Sequence, residues 1–164
     1  IVSDTHDNIP NFKKVISWMK KNKIKTGIHC GDIAAPATLR EVLKNFTGKF
    51  HIVFGNVDGD RFRITKLSFE DLPQIKVWGE LGEIKIGRKK IAFLHNPDFA
   101  KGLATTQKYD IVFYGHTHKP WEEKIGKTKL VNPGNLAGLF YKATFAVYNT
   151  MIAKLELKIL ERME

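Results

Sequence analysis

Two stretches of the chain repeat apolar residues at helical spacing. Phe12, Val15, Ile16 and Met19 fall at i, i+3, i+4 and i+7, which sets them on one stripe of a helix. Asn8 can cap that helix, and Pro10 suits its first turn, where a missing N–H costs nothing. Leu39, Val42, Leu43 and Phe46 make the same stripe after Pro36, predicting a second helix with one buried face. Between and after them lie short, mostly apolar runs: Ile1-Val2, Thr26–His29, Phe50–Phe54, Ile91–Leu94 and Ile111–Tyr114. Their length, with β-branched and aromatic residues, reads as buried strands.

The first half therefore reads strand, helix, strand, helix, strand, the pattern of a parallel α/β layer. The second half carries hairpin signals. Glu83–Ile86 and Lys90–Leu94 flank Gly87-Arg88-Lys89; Trp121–Ile125 and Thr128–Val131 flank Gly126-Lys127; Phe145–Tyr148 and Ile152–Ile159 flank Asn149-Thr150. Both halves fit an α/β fold of two mixed sheets facing each other with helices outside. Asp58 to Gln74 reads as a long loop holding a short helix around Ile64–Phe69, and Asn96 to Thr106 as a second rim loop. No internal repeat or linker interrupts the 164 residues, so a single domain over 1–164 is expected.

Apolar runs stop after a handful of residues, short of the roughly 20 that a membrane-spanning helix needs. Cys30 is the only cysteine, which excludes an intramolecular disulfide and fits a reducing cytoplasm. The chain opens at Ile1 without a methionine, so preceding residues are expected. The formal charge of +10 makes nucleic acid a conceivable partner. Positive charge is spread over both halves rather than gathered in a basic arm, so a solvated lysine-rich surface is the plainer reading.

The informative residues follow the strands. Ile1-Val2-Ser3 leads to Asp4-Thr5-His6, Ile28-His29-Cys30 to Gly31-Asp32, Ile52-Val53-Phe54 to Gly55-Asn56, Ile91–Leu94 to His95, and Ile111–Tyr114 to Gly115-His116-Thr117-His118. In open α/β sheets the carboxyl ends of strands deliver distant residues to one place. Imidazole, carboxylate and amide oxygen together suit divalent ions such as Mn, Fe, Co, Ni or Zn. Asp4 and His6, like His116 and His118, are two apart, so in extended chain each pair projects to one side. Glycines 31, 55 and 115 precede the ligand candidates, where the lack of a Cβ permits close backbone approach. Each cluster alone has an ordinary reading as a turn or a buried histidine; five in series at strand ends do not.

Ser-Asp-Thr-His, Gly-Asp, Gly-Asn-x-Asp, His and Gly-His-Thr-His, followed by Asn132-Pro133-Gly134, resemble the calcineurin-like metallophosphoesterases. The similarity is to their short single-domain bacterial and archaeal phosphodiesterase branch, over essentially the whole chain. The resemblance implies a four-layer α/β sandwich. It also implies two divalent ions per chain, one held by Asp4, His6, Asp32 and His118, the other by Asp32, Asn56, His95 and His116, with Asp32 as the bridge. Manganese comes first among the metals, with Ni, Fe, Co and Zn as alternatives. Asp32, Asn56 and His95 would then serve catalysis through the metal centre. Two such ions activate water and neutralise phosphoryl oxygens for in-line displacement, so the implied activity is hydrolysis of a small phosphodiester or nucleotide-like substrate.

Two departures stand out. Val57 occupies the position where many members carry a histidine that assists the leaving group, and Asn96 follows His95 where glycine is usual. No general acid is assigned; Asp7, Asn8, Asp58 and Arg61 are candidates for substrate or proton-transfer roles, and each is equally a turn or surface residue. His29 and His51 precede the ligand turns and read as packing or supporting groups. Cys30 reads as a small buried residue, Trp18, Trp78 and Trp121 as core or rim aromatics, and Asn132-Pro133-Gly134 as a turn supporting the site. Two alternatives accompany the enzyme reading. One is an interaction scaffold, because a eukaryotic retromer subunit resembles this branch yet has lost site residues and works by binding proteins. The other is a nucleic-acid-binding protein or nuclease. No membrane partner is expected, and a homo-oligomer is left open.

Overall fold

The computed structural model describes residues 1–163. Helix α1 (Ile9–Lys21) starts where Asn8 accepts a hydrogen bond from the Asn11 N–H at 3.1 Å, and it buries Phe12, Val15, Ile16 and Met19. Helix α2 (Pro36–Leu43) ends before the predicted stripe does. A turn bond from the Phe46 N–H to the Leu43 carbonyl draws Phe46 back into the core, edge-on to Phe50.

These helices cover a parallel sheet of β1 (Thr26–His29), β2 (Lys49–Ile52) and β3 (Ile75–Val77). Val2 bridges to His29, and the Ile1 backbone exchanges two hydrogen bonds with Ala146. That two-residue segment therefore ties the parallel strands to the antiparallel hairpin of β9 (Thr144–Asn149) and β10 (Lys154–Ile159). The second sheet contains β4 (Leu81–Ile86), β5 (Lys89–Leu94), β6 (Ile111–Phe113), β7 (Trp121–Ile125) and β8 (Thr128–Asn132) in the order β4-β5-β6-β8-β7, with parallel and antiparallel pairs. Between the sheets pack Ile28, Cys30, Val53, Phe93, Phe113 and Val131. Helix α4 (Pro97–Thr105) seats Ala100 and Ala104 on the outer face of the second sheet. Helices, sheet, sheet and helix make the four-layer α/β arrangement expected from the sequence. Among the described residues no helix is long and apolar enough to cross a membrane.

Four details differ from the sequence reading. Helix α3 (Arg61–Glu70), capped by Asp60, is longer than the short helix expected there. Strand β3 follows it and was not expected; three residues are too few for period-2 alternation to show. The expected rim loop at Asn96 to Thr106 is helix α4, and Asn96-Pro97 is its start signal: the Asn96 Oδ1 accepts the N–H groups of Asp98 and Phe99. In the last hairpin Asn149 Oδ1 accepts the N–H groups of Met151 and Ile152, which widens the turn so that β10 begins at Lys154 and not at Ile152.

Candidate metal centre

The loops after Val2 and β1 are laced together by their backbones. The N–H groups of Asp4, Thr5 and Asp7 donate to the carbonyls of Gly31, Asp32 and Ile33 at 3.0, 2.8 and 3.0 Å. Five of the seven ligand candidates hold the left-handed conformation that glycine favours: Asp4 (φ 51°), His6 (42°), Asp32 (58°), His116 (70°) and His118 (59°). Each costs of order 1–3 kcal/mol and survives only where surrounding contacts fix it, a pattern that clusters at functional sites. The pairs two apart thus meet one cavity through tight turns and not, as the sequence suggested, through extended chain.

All seven candidate ligands come together. Asp4, His6 and His118 form one cluster and Asp32, His95 and His116 a second, with donor atoms inside each lying within 4.8 Å of one another. His6 Nε2 and His118 Nε2 are 3.2 Å apart, and His118 Nε2 is 3.4 Å from Asp4 Oδ1. Asn56 Oδ1 joins the second cluster at 2.9 Å from His95 Nε2 and 2.8 Å from His116 Nδ1. Asp32 Oδ2 faces both clusters, at 3.8 Å from His6 Nε2 and 3.4 Å from His95 Nε2. Asp32 Oδ1 is taken by the Val57 N–H at 2.8 Å, so one oxygen, not two, looks toward both sides.

This donor set fits cations. His95 Nδ1 lies 2.8 Å from the Cys30 carbonyl, so its proton belongs there and Nε2 faces Asn56 Oδ1, Asp32 Oδ2 and His116 Nδ1 at 2.9, 3.4 and 3.3 Å. Burial opposes a charged His95, yet its contact with the Asp32 carboxylate holds its pKa above the usual imidazole range, so this point of the site favours positive charge, a proton on Nε2 or a cation in its place. Burial pushes the Asp4 carboxyl up to about 6, against the pull of Ser3, His95 and the His116 N–H. Burial also opposes ionisation of Asp32, yet its contacts with His95 and the Val57 N–H hold it below the usual carboxylate range. Two buried side-chain atoms, Ser3 Oγ and His118 Nδ1, have no hydrogen-bond partner among the described residues.

Supporting residues fix this geometry. Burial pushes His29 down to about 3, so it is neutral. Its Nδ1 accepts the Gly31 N–H at 3.2 Å, which leaves Nε2–H to donate to Thr5 Oγ1 at 2.7 Å. Asn132 Nδ2 donates to the Gly115 carbonyl and Thr117 Oγ1, and its Oδ1 accepts the Gly134 N–H, the support expected of that turn. Asn135, which the sequence reading passed over, donates to the His118 carbonyl at 3.0 Å and accepts the N–H groups of Gly138 and Leu139. Its only sequence signal is its place just beyond Asn132-Pro133-Gly134.

The four residues considered for substrate or proton transfer make structural contacts instead. Asp58 is 2% exposed, and its carboxylate accepts four backbone N–H groups, from Asp32, Ile33, Ala34 and Gly55. Asp7 accepts from the Ala35 N–H and the Thr38 hydroxyl, and Asn8 caps α1. The Arg61 guanidinium bonds the carbonyls of Gly55 and Asp58 and pairs with Glu80.

Gly55 shows how little room the turns leave. A Cβ there would stand 2.1 Å from Asp32 Oδ1 and 2.5 Å from the Asp32 N. Gly55→Ala is therefore expected to weaken divalent-ion binding at least tenfold by displacing Asp32; calorimetric titration with Mn checks this, and unchanged affinity would contradict the packing described.

Residues 1–152 match the calcineurin-like phosphoesterase superfamily domain. The phosphodiesterase MJ0936 of Methanocaldococcus jannaschii is 30% identical over 140 residues, covering 84% of this chain and 83% of that protein. The phosphodiesterase YfcE of Escherichia coli K12 is 22% identical over 148 residues, 82% of this chain and 77% of its own. A solved archaeal phosphodiesterase superposes with a TM-score of 0.88 at 25% identity, covering 96% of both chains. Vps29 from Entamoeba histolytica superposes at 0.66 with 19% identity over 96% of both chains, a likeness of fold. The strand-end clusters, the four layers and these matches agree, and the chain belongs to the calcineurin-like phosphoesterase superfamily.

Proposed function

We propose that the protein is a two-metal phosphodiesterase. Asp4, His6 and His118 would hold one ion, Asn56, His95 and His116 the other, and Asp32 Oδ2 would serve both. The observation that carries this reading is the pair of His and Asp clusters with Asp32 Oδ2 facing both. When bound, such a pair of divalent ions lowers the pKa of water and neutralises charge on the phosphoryl oxygens, favouring in-line displacement at phosphorus. Manganese is the first metal to test.

The chain's own residues narrow the substrate. Val57, where many members outside the short branch carry a leaving-group histidine, offers no proton, and Asp7, Asp58 and Arg61 are engaged elsewhere. Departure without a proton favours esters of acidic alcohols such as phenols over simple alkyl esters. Phe140 is 91% exposed in the left-handed conformation, with its ring 5.7 Å from that of His118. Asn135 ties its loop to the His118 carbonyl. An aromatic or nucleobase group on a diester could lie on that ring. Phe140→Ala is expected to raise KM for an aryl diester three- to tenfold with little change in kcat, read by steady-state kinetics; a lost kcat with unchanged KM would contradict this placement.

The reading is tested by assaying chelator-stripped protein with Mn, Ni, Co, Zn or Mg restored separately, on bis-p-nitrophenyl phosphate and p-nitrophenyl phosphate. Metal-restored turnover, faster on the diester, is expected. Folded protein inert with every metal would overturn the reading.

A further inference from the structure

A groove of about 1020 Å³ lies at the end of the parallel sheet opposite the metal clusters. It runs past Lys25, Thr26, Lys49 and Ile75, at the amino ends of β1, β2 and β3, whereas the clusters follow the carboxyl ends of β1 and β2. From Lys49 to Asn56 the chain covers seven residues, roughly 20 Å if extended.

The groove's chemistry is one-sided. Its lining contains Lys25, Lys49, Lys76 and Lys85, and no aspartate, glutamate or arginine. All four lysines are exposed, and among the described residues none joins an ion pair. The Lys49 N–H donates to the Lys25 carbonyl at 2.7 Å, and His51 pairs in register with Lys76. Lys49, His51, Lys76 and Trp78 therefore share one face. Lys49 is in register with Thr26 and Lys76 with His51, so the lysines are staggered along the groove rather than abreast, and the Lys76 ammonium lies 3.7 Å over the Trp78 ring. His51 Nδ1 accepts the Trp78 Nε1–H at 3.1 Å, so the remaining ring nitrogen of neutral His51 is a donor. The spread of charge along the sequence conceals this cluster, which folding assembles from separate strands.

From this juxtaposition we infer that the groove binds single-stranded nucleic acid through its phosphates. Lysines without carboxylate partners act as point charges for successive phosphates, and the Trp78 ring, whose face the Lys76 ammonium covers, is the surface a base would lie against once a phosphate draws that ammonium away. An acidic peptide is the weaker match, because arginine, whose planar fork suits carboxylates, is absent from the lining. The inference does not depend on the metal reading, and its test excludes metal.

Fluorescence anisotropy of a labelled 12-residue oligothymidylate, with chelator-treated full-length protein, decides the matter. Micromolar binding at low salt is expected, with log K falling against log [salt] at about −0.7 per phosphate contacted, so about −2 to −3 in all. Lys49→Glu with Lys76→Glu is expected to weaken binding at least tenfold. Lys101→Glu with Lys108→Glu, the same charge change on and beside α4, should alter it less than twofold, with both pairs checked for folding by thermal melts. No binding, equal losses in the two pairs, or displacement by polyglutamate at equal concentration would each overturn the inference, the last pointing to an acidic peptide.

Discussion

Asp58→Ala is expected to destabilise the metal-free protein by about 3–5 kcal/mol, the largest stability effect of any single side chain near the site. One carboxylate satisfies four backbone donors: Oδ1 takes the N–H groups of Ile33 and Ala34 at 2.8 and 2.9 Å, and Oδ2 those of Asp32 and Gly55 at 3.0 and 2.8 Å. Removing it leaves buried donors unpaired at about 1–3 kcal/mol each, offset in part by entering water. At roughly 2–4 °C per kcal/mol for a chain of this size, the melting temperature should fall by roughly 6–20 °C. Asp58→Asn should lie between, because its amide keeps one oxygen but turns N–H groups against N–H groups. Thermal melts in chelator check this; a change below about 1 kcal/mol would show that the two loops stand without their tie.

Asp32→Ala is expected to act on chemistry and spare the fold. Its backbone makes most of its structural bonds, its carbonyl accepting from Thr5 and His6 and its N–H donating to Asp58, and its side chain adds one by accepting the Val57 N–H. Its side chain faces His6 and His95. Supporting residues of metal sites alone cost 10- to 100-fold when changed, so loss of the shared oxygen should lower diester turnover at least a hundredfold and reduce the ions bound. Alanine is less at ease than aspartate at φ 58°; Asp32→Asn, which tolerates that conformation, serves as the shape-preserving check. Retained turnover in both variants would contradict a shared role for Asp32.

Much of this site was legible because chemistry and punctuation coincide in the sequence. Gly31, Gly55 and Gly115 mark where strands end, and the residues just after them are the ones that meet. The helical stripes of α1 and α2 were equally plain. What stayed hidden depends on partners without a sequence signature. Asp58 stands in the Gly-Asn-x-Asp motif and reads as a candidate for a substrate or proton-transfer role as readily as a turn residue; its tie between loops is hidden, since its partners are main-chain N–H groups, three of them 24 to 26 residues away. Asn135 is hidden for the same reason. The α4 start at Asn96-Pro97 was in plain view, but Asn-Pro is also a common turn signal. Strand β3 is too short to show a period, and the lysine-lined groove exists only once the strands are assembled.

The most direct test of the two-metal account is a calorimetric titration of Mn into chelator-stripped protein near neutral pH, with ion content confirmed by elemental analysis. The account predicts two ions per chain in the parent. A folded protein that binds no ion, or only one, would contradict it.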